Sequence, residues 1–429
     1  MQSNQSHEIK RVDHTTCCIV GGGPAGAILA LLLARKGISV VLLEAHMDFD
    51  RDFRGDTISP AVMEIMDQLG LAERVRQIRH TELGQFVLQL PTTSVQVADL
   101  TTLKTRYPFM TIMAQSRFLE FLIEEAKCYE SFTLLMGAQV DELIIEDGVV
   151  RGIRYRGQDG WYELRAVLTV GADGRFSRLR KLANFEPIKT SPPMDVLWFR
   201  LPRKENDPIE SLGARIANGR MVIVIDRHEY WQMGYVIPKG GYQHVRASGL
   251  QALRQSLAEI VPAMADRVDE LKEWKQISVL SVESNRLPRW YRPGLLLIGD
   301  AAHVMSPVGG VGINIAIQDA VVAANVLIPK LQFGIVSLRD LAEVQRQREW
   351  PVRIVQGFQQ FVQRRVLTRV MNTEQTFTVP PFLRLLVRIP AIRNLPAQMI
   401  GFSPWRVRVD EARQGRIALK EASPPTSTV

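Results

Sequence analysis

Cysteine is scarce in this sequence of 429 residues, which has only Cys17, Cys18 and Cys128. No Cys-x-x-Cys pair and no Cys/His cluster occurs, so we predict no metal site. Few cysteines are also typical of proteins that work in a reducing compartment. We therefore expect a cytoplasmic location.

Long uninterrupted hydrophobic runs are also missing. The stretch from Cys17 to Ala34 carries no charge over 18 residues, but glycines and Pro24 interrupt it after four residues. A strand, a tight turn and a buried helix explain it better than a membrane span. Residues 1–14 are polar and lack the apolar core of a signal peptide, so we expect no export signal.

Charge is unevenly distributed along the chain. The net charge is +8, yet the segment from Lys330 to Val429 alone carries 16 Lys and Arg against 7 Asp and Glu. This basic C-terminal region is consistent with a solvated helical cap or with peripheral contact to an anionic membrane. No nucleic-acid reader motif accompanies the charge, so we expect no nucleic-acid partner.

The N-terminal part has the pattern of a β-α-β unit. An apolar run from Thr16 to Val20 precedes a glycine-rich turn, a helical stretch follows from Ala27 to Arg35, and a second apolar run from Ile38 to Leu43 ends at Glu44. Strand, turn, helix and second strand in this order predict a dinucleotide-binding unit.

The turn itself reads Gly21-Gly22-Gly23-Pro24-Ala25-Gly26 and fits Gly-x-Gly-x-x-Gly. Glycine permits the tight turn and lets a diphosphate approach the backbone, while the last glycine lets helix and strand pack closely. The helix N-terminus offers N–H groups to the diphosphate. Glu44 stands 18 residues after Gly26, where a carboxylate can accept hydrogen bonds from an adenosine ribose. The turn alone does not separate NAD from FAD.

Three later segments help to distinguish FAD from NAD as the bound cofactor. The first two follow apolar runs: Asp173-Gly174 and Gly299-Asp300-Ala301-Ala302-His303. The third is the stretch from Pro307 to Asn314, which leads into a helix. Together with the first turn, their order and spacing over roughly residues 15 to 330 resemble the class A flavoprotein monooxygenases, the family with the p-hydroxybenzoate hydroxylase fold. The resemblance implies tightly but non-covalently bound FAD.

The resemblance also implies roles for individual residues. Asp300, after Gly299, would bind the ribityl chain of FAD. The backbone N–H groups of Gly312, Ile313 and Asn314 would face the negative N1–O2 edge of the reduced flavin. Asp173 and Gly174 would contact flavin and the diphosphate of a nicotinamide cofactor. The remaining candidates for cofactor binding are Arg54, Arg117, Pro307 and Gly310. We expect His303 to be structural, and no side chain to act as a covalent or acid/base catalyst.

The expected fold is α/β: a Rossmann-type FAD-binding domain, an inserted antiparallel-sheet substrate domain and a helical C-terminal region. The predicted boundaries are an N-terminal extension at 1–14, the FAD-binding domain at 15–190 and 285–330, the substrate domain at 191–284, and the basic C-terminal region at 331–429. The substrate is expected at the inserted sheet, with these lining candidates: Trp198, Arg200, Trp231, Met233 and Tyr235.

The function implied by the resemblance is hydroxylation of an aromatic or hydrophobic small molecule. NAD(P)H would reduce FAD, and a flavin C4a-hydroperoxide formed with O2 would donate oxygen. Three alternatives stay open at this point: a reductase of a lipid-like substrate of the geranylgeranyl reductase type, a flavin halogenase, and a non-enzymatic flavin protein that docks to membranes. The halogenase alternative is weakened because Met233 and Tyr235 stand where its motif has tryptophans.

Overall fold

The computed structural model describes residues 8–50, 57–91, 93–207, 212–227, 229–367 and 394–410. The strands are β1 Ile9–Val20, β2 Val40–Glu44, β3 Thr57–Ile58, β4 Thr81–Leu83, β5 Gln85–Gln89, β6 Ser94–Asp99, β7 Met110–Ile112, β8 Phe132–Met136, β9 Gln139–Glu146, β10 Val149–Arg156, β11 Trp161–Gly171, β12 Ile188–Thr190, β13 Met194–Pro202, β14 Leu212–Ala217, β15 Arg220–Asp226, β16 Tyr230–Pro238, β17 Ser278–Leu280, β18 Ser284–Arg286, β19 Tyr291–Arg292, β20 Leu295–Leu297 and β21 His303–Val304. The α-helices are α1 Pro24–Ala34, α2 Pro60–Gln68, α3 Ala72–Gln77, α4 Gln115–Lys127, α5 Arg178–Leu182, α6 Tyr242–Ala247, α7 Leu250–Ile260, α8 Gly312–Leu331, α9 Leu338–Val362 and α10 Leu395–Gly401.

The first sheet is the Rossmann-type sheet that the sequence predicts. Its main order is β19-β20-β11-β1-β2-β8, and β10 and β9 extend it beside β11. The strands β20, β11, β1, β2 and β8 run parallel, so their carboxyl ends meet at one edge. In an open parallel sheet that edge is where ligands bind.

Helices α1 and α8 are buried against this sheet. All residues of α1 from Ala25 to Ala34 are buried, which explains its lack of an amphipathic pattern. Among the described residues, the stretch Val308–Leu331 is long and apolar enough to cross a membrane, but 83% of its most apolar window is buried inside the protein. We interpret α8 as a core helix.

The second large sheet is the inserted sheet, with order β17-β13-β16-β15-β14-β5-β6. Its central pairs are antiparallel, as predicted, and the α/β fold class is confirmed. The predicted boundary at 191–284 is too narrow, because β5 and β6 join the same sheet through a parallel pairing of β14 with β5. These two strands precede the insert by about a hundred residues in sequence, so no local pattern links them to it.

Two further differences concern the ends of the chain. Strand β1 begins at Ile9, inside the predicted extension at 1–14, because its first half pairs with β11 from Trp161 onwards. Helix α9 passes through Pro351 without a break, although a proline in a helix interior usually ends or kinks the helix. Pro351 is buried, as are Val352 and Val355 in the next turn, so tertiary packing outweighs the lost hydrogen bond.

The cysteines give a simple test of this fold. Burial raises the pKa of the Cys17 thiol to about 12 and that of Cys18 well above its usual value, while Cys128 is exposed. Since the thiolate is the reactive form, a disulfide reagent at about pH 8 should label one thiol per folded chain and three after denaturation. The Cys128→Ser variant should show none while folded. Rapid labelling of two or more thiols in the native protein would contradict the buried position of β1.

Candidate functional site

The glycine-rich turn between β1 and α1 is sterically tight. Gly21 has φ +106, and a Cβ there would lie 2.5 Å from the carbonyl oxygen of Ala172. A Cβ on Gly26 would lie 2.0 Å from the carbonyl oxygen of Gly21. Only glycine at these two positions allows β1, β11 and α1 to meet.

Gly23 differs from both neighbours. It has φ −72 and caps α1, and an added Cβ would meet no atom within 4 Å among the described residues. Protein packing therefore gives no reason for glycine at this position, and Gly23 lines the large cavity described below. The bare backbone at a helix N-terminus fits the close approach of a phosphate.

Glu44 ends β2 and lines the same cavity. Its Oε2 accepts a hydrogen bond from the backbone N–H of Gly22 at 3.0 Å. Its Oε1 lies 3.0 Å from the backbone N of His46 and 2.7 Å from His46 Nδ1. The carboxylate is thereby held at the cavity wall beside the turn, where the ribose contact is predicted.

Asp173 and Gly174 also line the cavity, but the Asp173 carboxylate is already occupied. It accepts hydrogen bonds from Ser177 Oγ at 2.6 Å and from the backbone N–H groups of Arg178 at 2.7 Å and Leu179 at 3.0 Å. Burial raises the pKa of this carboxyl, and these bonds oppose the shift. Asp173 therefore shapes the start of α5, and its predicted cofactor contact stays a prediction.

The turn at Gly299-Asp300 is fixed by a buried ion cluster. Asp319 Oδ2 accepts from the backbone N–H of Gly299 at 3.1 Å and lies 2.6 Å from His303 Nε2, and Asp319 Oδ1 accepts from Arg348 Nε at 2.7 Å. The side chains of His303, Asp319 and Arg348 are at most 1% exposed. Burial alone would raise the pKa of Asp319, but His303 and Arg348 lower it below its usual range. His303 is therefore a structural residue, as predicted.

Sequence reasoning missed both Asp319 and Arg348, and also Arg180. The Arg180 guanidinium is largely buried and donates to the carbonyl oxygens of Asp300 at 3.3 Å and Ala301 at 3.1 Å. Asp319 and Arg348 carried a usable signal, since a charged residue on the apolar face of a predicted helix needs a buried partner.

The glycine-rich stretch before α8 forms a tight loop. Gly309 and Gly310 have φ +81 and +63, and a Cβ on Gly310 would lie 2.5 Å from Thr57 Oγ1. Helix α8 begins at Gly312, so the N–H groups of Gly312, Ile313 and Asn314 belong to its first turn, where intrahelical acceptors are missing. Pro307, Gly310, Gly312 and Ile313 line the cavity.

The Asn314 side chain serves the loop rather than the cavity. Its Oδ1 accepts from the backbone N–H of Ser59 at 2.8 Å, and its Nδ2 donates to the carbonyl oxygens of Thr57 at 3.1 Å and Gly310 at 3.2 Å. Asn314 thus ties β3 to the start of α8. Only its backbone remains available for the predicted role.

Of the two predicted arginines, Arg117 is not brought into the site. Arg117 lies on the exposed surface of α4, pairs with Glu120 at 3.1 Å and does not line the cavity. Its neighbours Gln115 and Leu119 do line it, so the helix is correctly placed but presents another face. Arg54 lies outside the described residues.

The prediction is wrong for three of the substrate-lining candidates, because the sequence does not show which face of β16 meets the cavity. Trp231, Met233 and Tyr235 point away from the cavity and pack against α7. Trp231 Nε1 donates to Asp207 at 2.8 Å, and the Tyr235 hydroxyl lies 2.9 Å from Ser256 Oγ. Gln232 and Val236, which alternate with them, line the cavity instead.

On β13, Trp198 lines the cavity, as predicted. Arg200 is exposed, does not line it and lies over the Tyr230 ring at 4.7 Å. Its place as a substrate contact is therefore corrected. The cavity wall also contains β5 and β6, which the sequence did not assign to it, through these residues: Phe86, Val87, Leu88, Val95, Gln96 and Val97.

One continuous cavity of about 1190 Å³ joins the two sheets. One end is lined by the turn at Gly21–Ala25 and by Glu44, and the middle by Asp300 and the glycine-rich loop before α8. The other end is the inner face of the inserted sheet. Single-ligand pockets usually measure roughly 300–1,000 Å³, so the volume fits an elongated dinucleotide and a second molecule.

Among the described residues, no group of three His, Cys, Asp or Glu side chains could hold a metal ion.

Comparisons with known proteins agree with this geometry. A family model described as an FAD binding domain matches residues 14–348. The 6-methylpretetramide 4-monooxygenase of Streptomyces rimosus is 34% identical over 410 residues, covering 94% of this chain and 97% of the relative.

Two solved structures share the fold. The p-nitrophenol 4-monooxygenase of Pseudomonas putida DLL-E4 superposes with a TM-score of 0.71 at 20% identity, covering 91% of this chain and 94% of that chain. The anhydrotetracycline hydroxylase of Streptomyces rimosus gives a TM-score of 0.70 at 21% identity, covering 90% and 76%.

Gly23 offers a test of the diphosphate cradle. The Gly23→Ala variant should fold like the wild-type protein, because the added Cβ meets open space, but should bind FAD at least tenfold more weakly if the cofactor backbone approaches there. Titration of the apoprotein with FAD, followed by flavin fluorescence, measures this. Gly357→Ala, at an exposed position of α9 with equally open space, is the matched control. Equal FAD affinity in both variants would show that no ligand lies against Gly23.

Arg348 offers a test of the ion cluster. Arg348→Met leaves the buried Asp319 carboxylate without its arginine, which costs about 3–5 kcal/mol. We expect a large fall in the midpoint of thermal unfolding and faster loss of FAD. Arg353→Met, on the exposed face of the same helix, should change the free energy of unfolding by less than about 0.5 kcal/mol. Similar stability of the two variants would contradict the role given to Asp319.

Proposed function

This chain belongs to the FAD-dependent monooxygenases, and from that premise we propose that it hydroxylates a planar, largely apolar aromatic molecule with NAD(P)H as the reductant. The observation that carries the proposal is the continuity of the cavity. A dinucleotide cradle at Gly21–Ala25 leads, past Asp300 and the start of α8, to a sheet face made mostly of apolar side chains. Bound FAD supplies the electron transfer and the oxygen chemistry.

The chain's own residues bind and orient the reactants. The α1 N-terminus at Gly23 would hold the diphosphate, Glu44 would accept from ribose hydroxyls, and Asp300 would accept from the ribityl chain. The backbone N–H groups of Gly312 and Ile313, in the first turn of α8, would face the N1–O2 edge of the flavin ring. There a helix N-terminus stabilises negative charge without moving a proton.

The cavity end on the inserted sheet supports an apolar aromatic substrate. Its wall includes Val196, Trp198, Ile223, Ile225 and Val236, which exclude water and offer dispersion contacts over a flat surface. The names of the two Streptomyces rimosus proteins describe enzymes acting on 6-methylpretetramide and on anhydrotetracycline. We propose a substrate of this polycyclic aromatic kind.

Basic side chains near Asp173 offer an electrostatic approach for the nicotinamide cofactor. Arg175 and Arg178 line the rim of the main cavity, and Arg175 also lines a smaller cavity of about 370 Å³ together with Lys181 and Lys189. This basic rim favours the diphosphate of NAD(P)H.

Family membership favours oxygen insertion over the lipid-reductase alternative. Cytoplasmic location and membrane contact stay predictions, and most of the basic apolar segment behind the latter lies outside the described residues.

An isotope experiment tests the proposed reaction. The purified protein should be yellow, and 6-methylpretetramide incubated with NADH or NADPH and isotopically labelled O2 should gain one labelled oxygen atom per turnover, measured by mass spectrometry. The FAD-free apoprotein serves as the control. Turnover without label, or turnover under anaerobic conditions, would establish a reductase instead.

A further inference from the structure

The inner face of the inserted sheet is organised in three rows across β13, β16 and β15. Pairing registers place Arg200, Gln232 and Ile225 side by side in the first row, Trp198, Gly234 and Ile223 in the second, and Val196, Val236 and Met221 in the third. Successive rows are two residues apart, or roughly 7 Å. Polarity therefore falls along the face from the first row to the third.

The second row is an aromatic platform that depends on a glycine. A Cβ on Gly234 would lie 2.7 Å from Trp198 Cζ3 and 2.9 Å from Cη2. The indole therefore lies against the backbone of β16 in the space that any other residue would fill. Trp198 lines the cavity, so its indole forms part of the wall that a planar ligand would contact.

The first row contains an oriented amide. Gln232 is 4% exposed, and its Oε1 accepts a hydrogen bond from Arg227 Nε at 2.9 Å. A guanidinium can only donate, so the amide oxygen must face Arg227 and the NH2 group must point the other way. The Gln232 Nε2 atom makes no hydrogen bond to any described residue, and Gln232 lines the cavity.

We propose that Gln232, oriented by Arg227, determines substrate specificity by donating a hydrogen bond to an acceptor oxygen on a ring system that stacks on Trp198. This rests on the proposed function, because it assigns the same cavity end to the substrate. The ligand group must be an acceptor, such as a phenolic or carbonyl oxygen, since the amide oxygen is already engaged. The Arg227 guanidinium also lines the cavity and favours oxygens that carry negative charge.

The test compares two bicyclic probes that differ in one oxygen, 2-naphthol and naphthalene. Their dissociation constants are measured with the FAD-loaded protein through the change in the flavin absorption spectrum, without turnover. Wild-type protein should bind 2-naphthol roughly tenfold more tightly than naphthalene, the discrimination expected of one hydrogen bond. Gln232→Leu, of similar volume, should abolish that preference while leaving naphthalene affinity unchanged.

A matched control and two further variants separate the parts of the proposal. Gln96→Leu makes the same change at another cavity-lining glutamine, on β6, and should keep the preference. Gln232→Glu retains the Arg227 contact but replaces the donor with an acceptor. It should therefore lose the preference that the wild-type protein shows for 2-methoxynaphthalene, whose ether oxygen can only accept, over naphthalene. Gly234→Ala displaces the indole and should weaken both probes alike.

Several outcomes would overturn the inference. They are equal binding of 2-naphthol and naphthalene by the wild-type protein, no uptake of either probe, a 2-naphthol preference that survives Gln232→Leu, a 2-methoxynaphthalene preference that survives Gln232→Glu, the same loss in Gln96→Leu, or unchanged binding in Gly234→Ala. Failure of hydroxylation is distinguishable, because these measurements need no oxygen or reductant. Discrimination between the probes without oxygen incorporation would refute the proposed function and leave the binding site standing.

Discussion

The buried carboxylate of Asp319 is the interaction on which the geometry of this site depends. It stands on α8 and holds three elements that are distant in sequence: the turn at Gly299, β21 through His303, and α9 through Arg348. A buried ion cluster adds little to stability compared with an apolar replacement. It fixes one arrangement of the three elements, because every alternative leaves a buried charge without a partner. The backbone that carries Asp300 and the helix that begins at Gly312 are thereby set relative to each other. The Asp319 cluster therefore supports two predicted cofactor contacts that come from separate sequence motifs, Asp300 and the first turn of α8.

The cofactor end and the substrate end meet different steric demands. At the cofactor end, Gly21 and Gly26 are required by protein packing, whereas the space beside Gly23 is open. At the substrate end, Gly234 is required by the indole of Trp198. In each case the missing side chain creates a surface: bare backbone for a diphosphate in the first, and a flat ring in the second. Glycines in this chain therefore create surfaces for both polar and apolar ligands. The residues around each glycine decide which kind of surface it creates.

Much of the cofactor end could be predicted from the sequence, because its signals are local. The turn at Gly21–Gly26 and Glu44 lie within one β-α-β unit, and the Asp300 and Gly312 motifs each combine a strand end with a helix start. The substrate end could not be predicted in the same way. Residue type favours Trp231, Met233 and Tyr235 as substrate contacts. However, a strand presents alternate residues to opposite faces, and only tertiary pairing decides which face meets the cavity. Strands β5 and β6 carry no sequence sign of their membership in the inserted sheet, since β14 joins them from far along the chain.

This contrast has a functional consequence. The described residues around the start of α8 offer backbone N–H groups, and the polar side chains there, such as Asn314, are committed to structure. Chemistry that relies on a bound cofactor needs little more from the protein than position, charge and a dry cavity. Discrimination between substrates then has to come from the inserted sheet, whose three rows can be changed one residue at a time without disturbing Asp319 or the glycine turn. A substitution at Gln232 or Ile225 alters what is bound, while the parts that hold the cofactor stay unchanged.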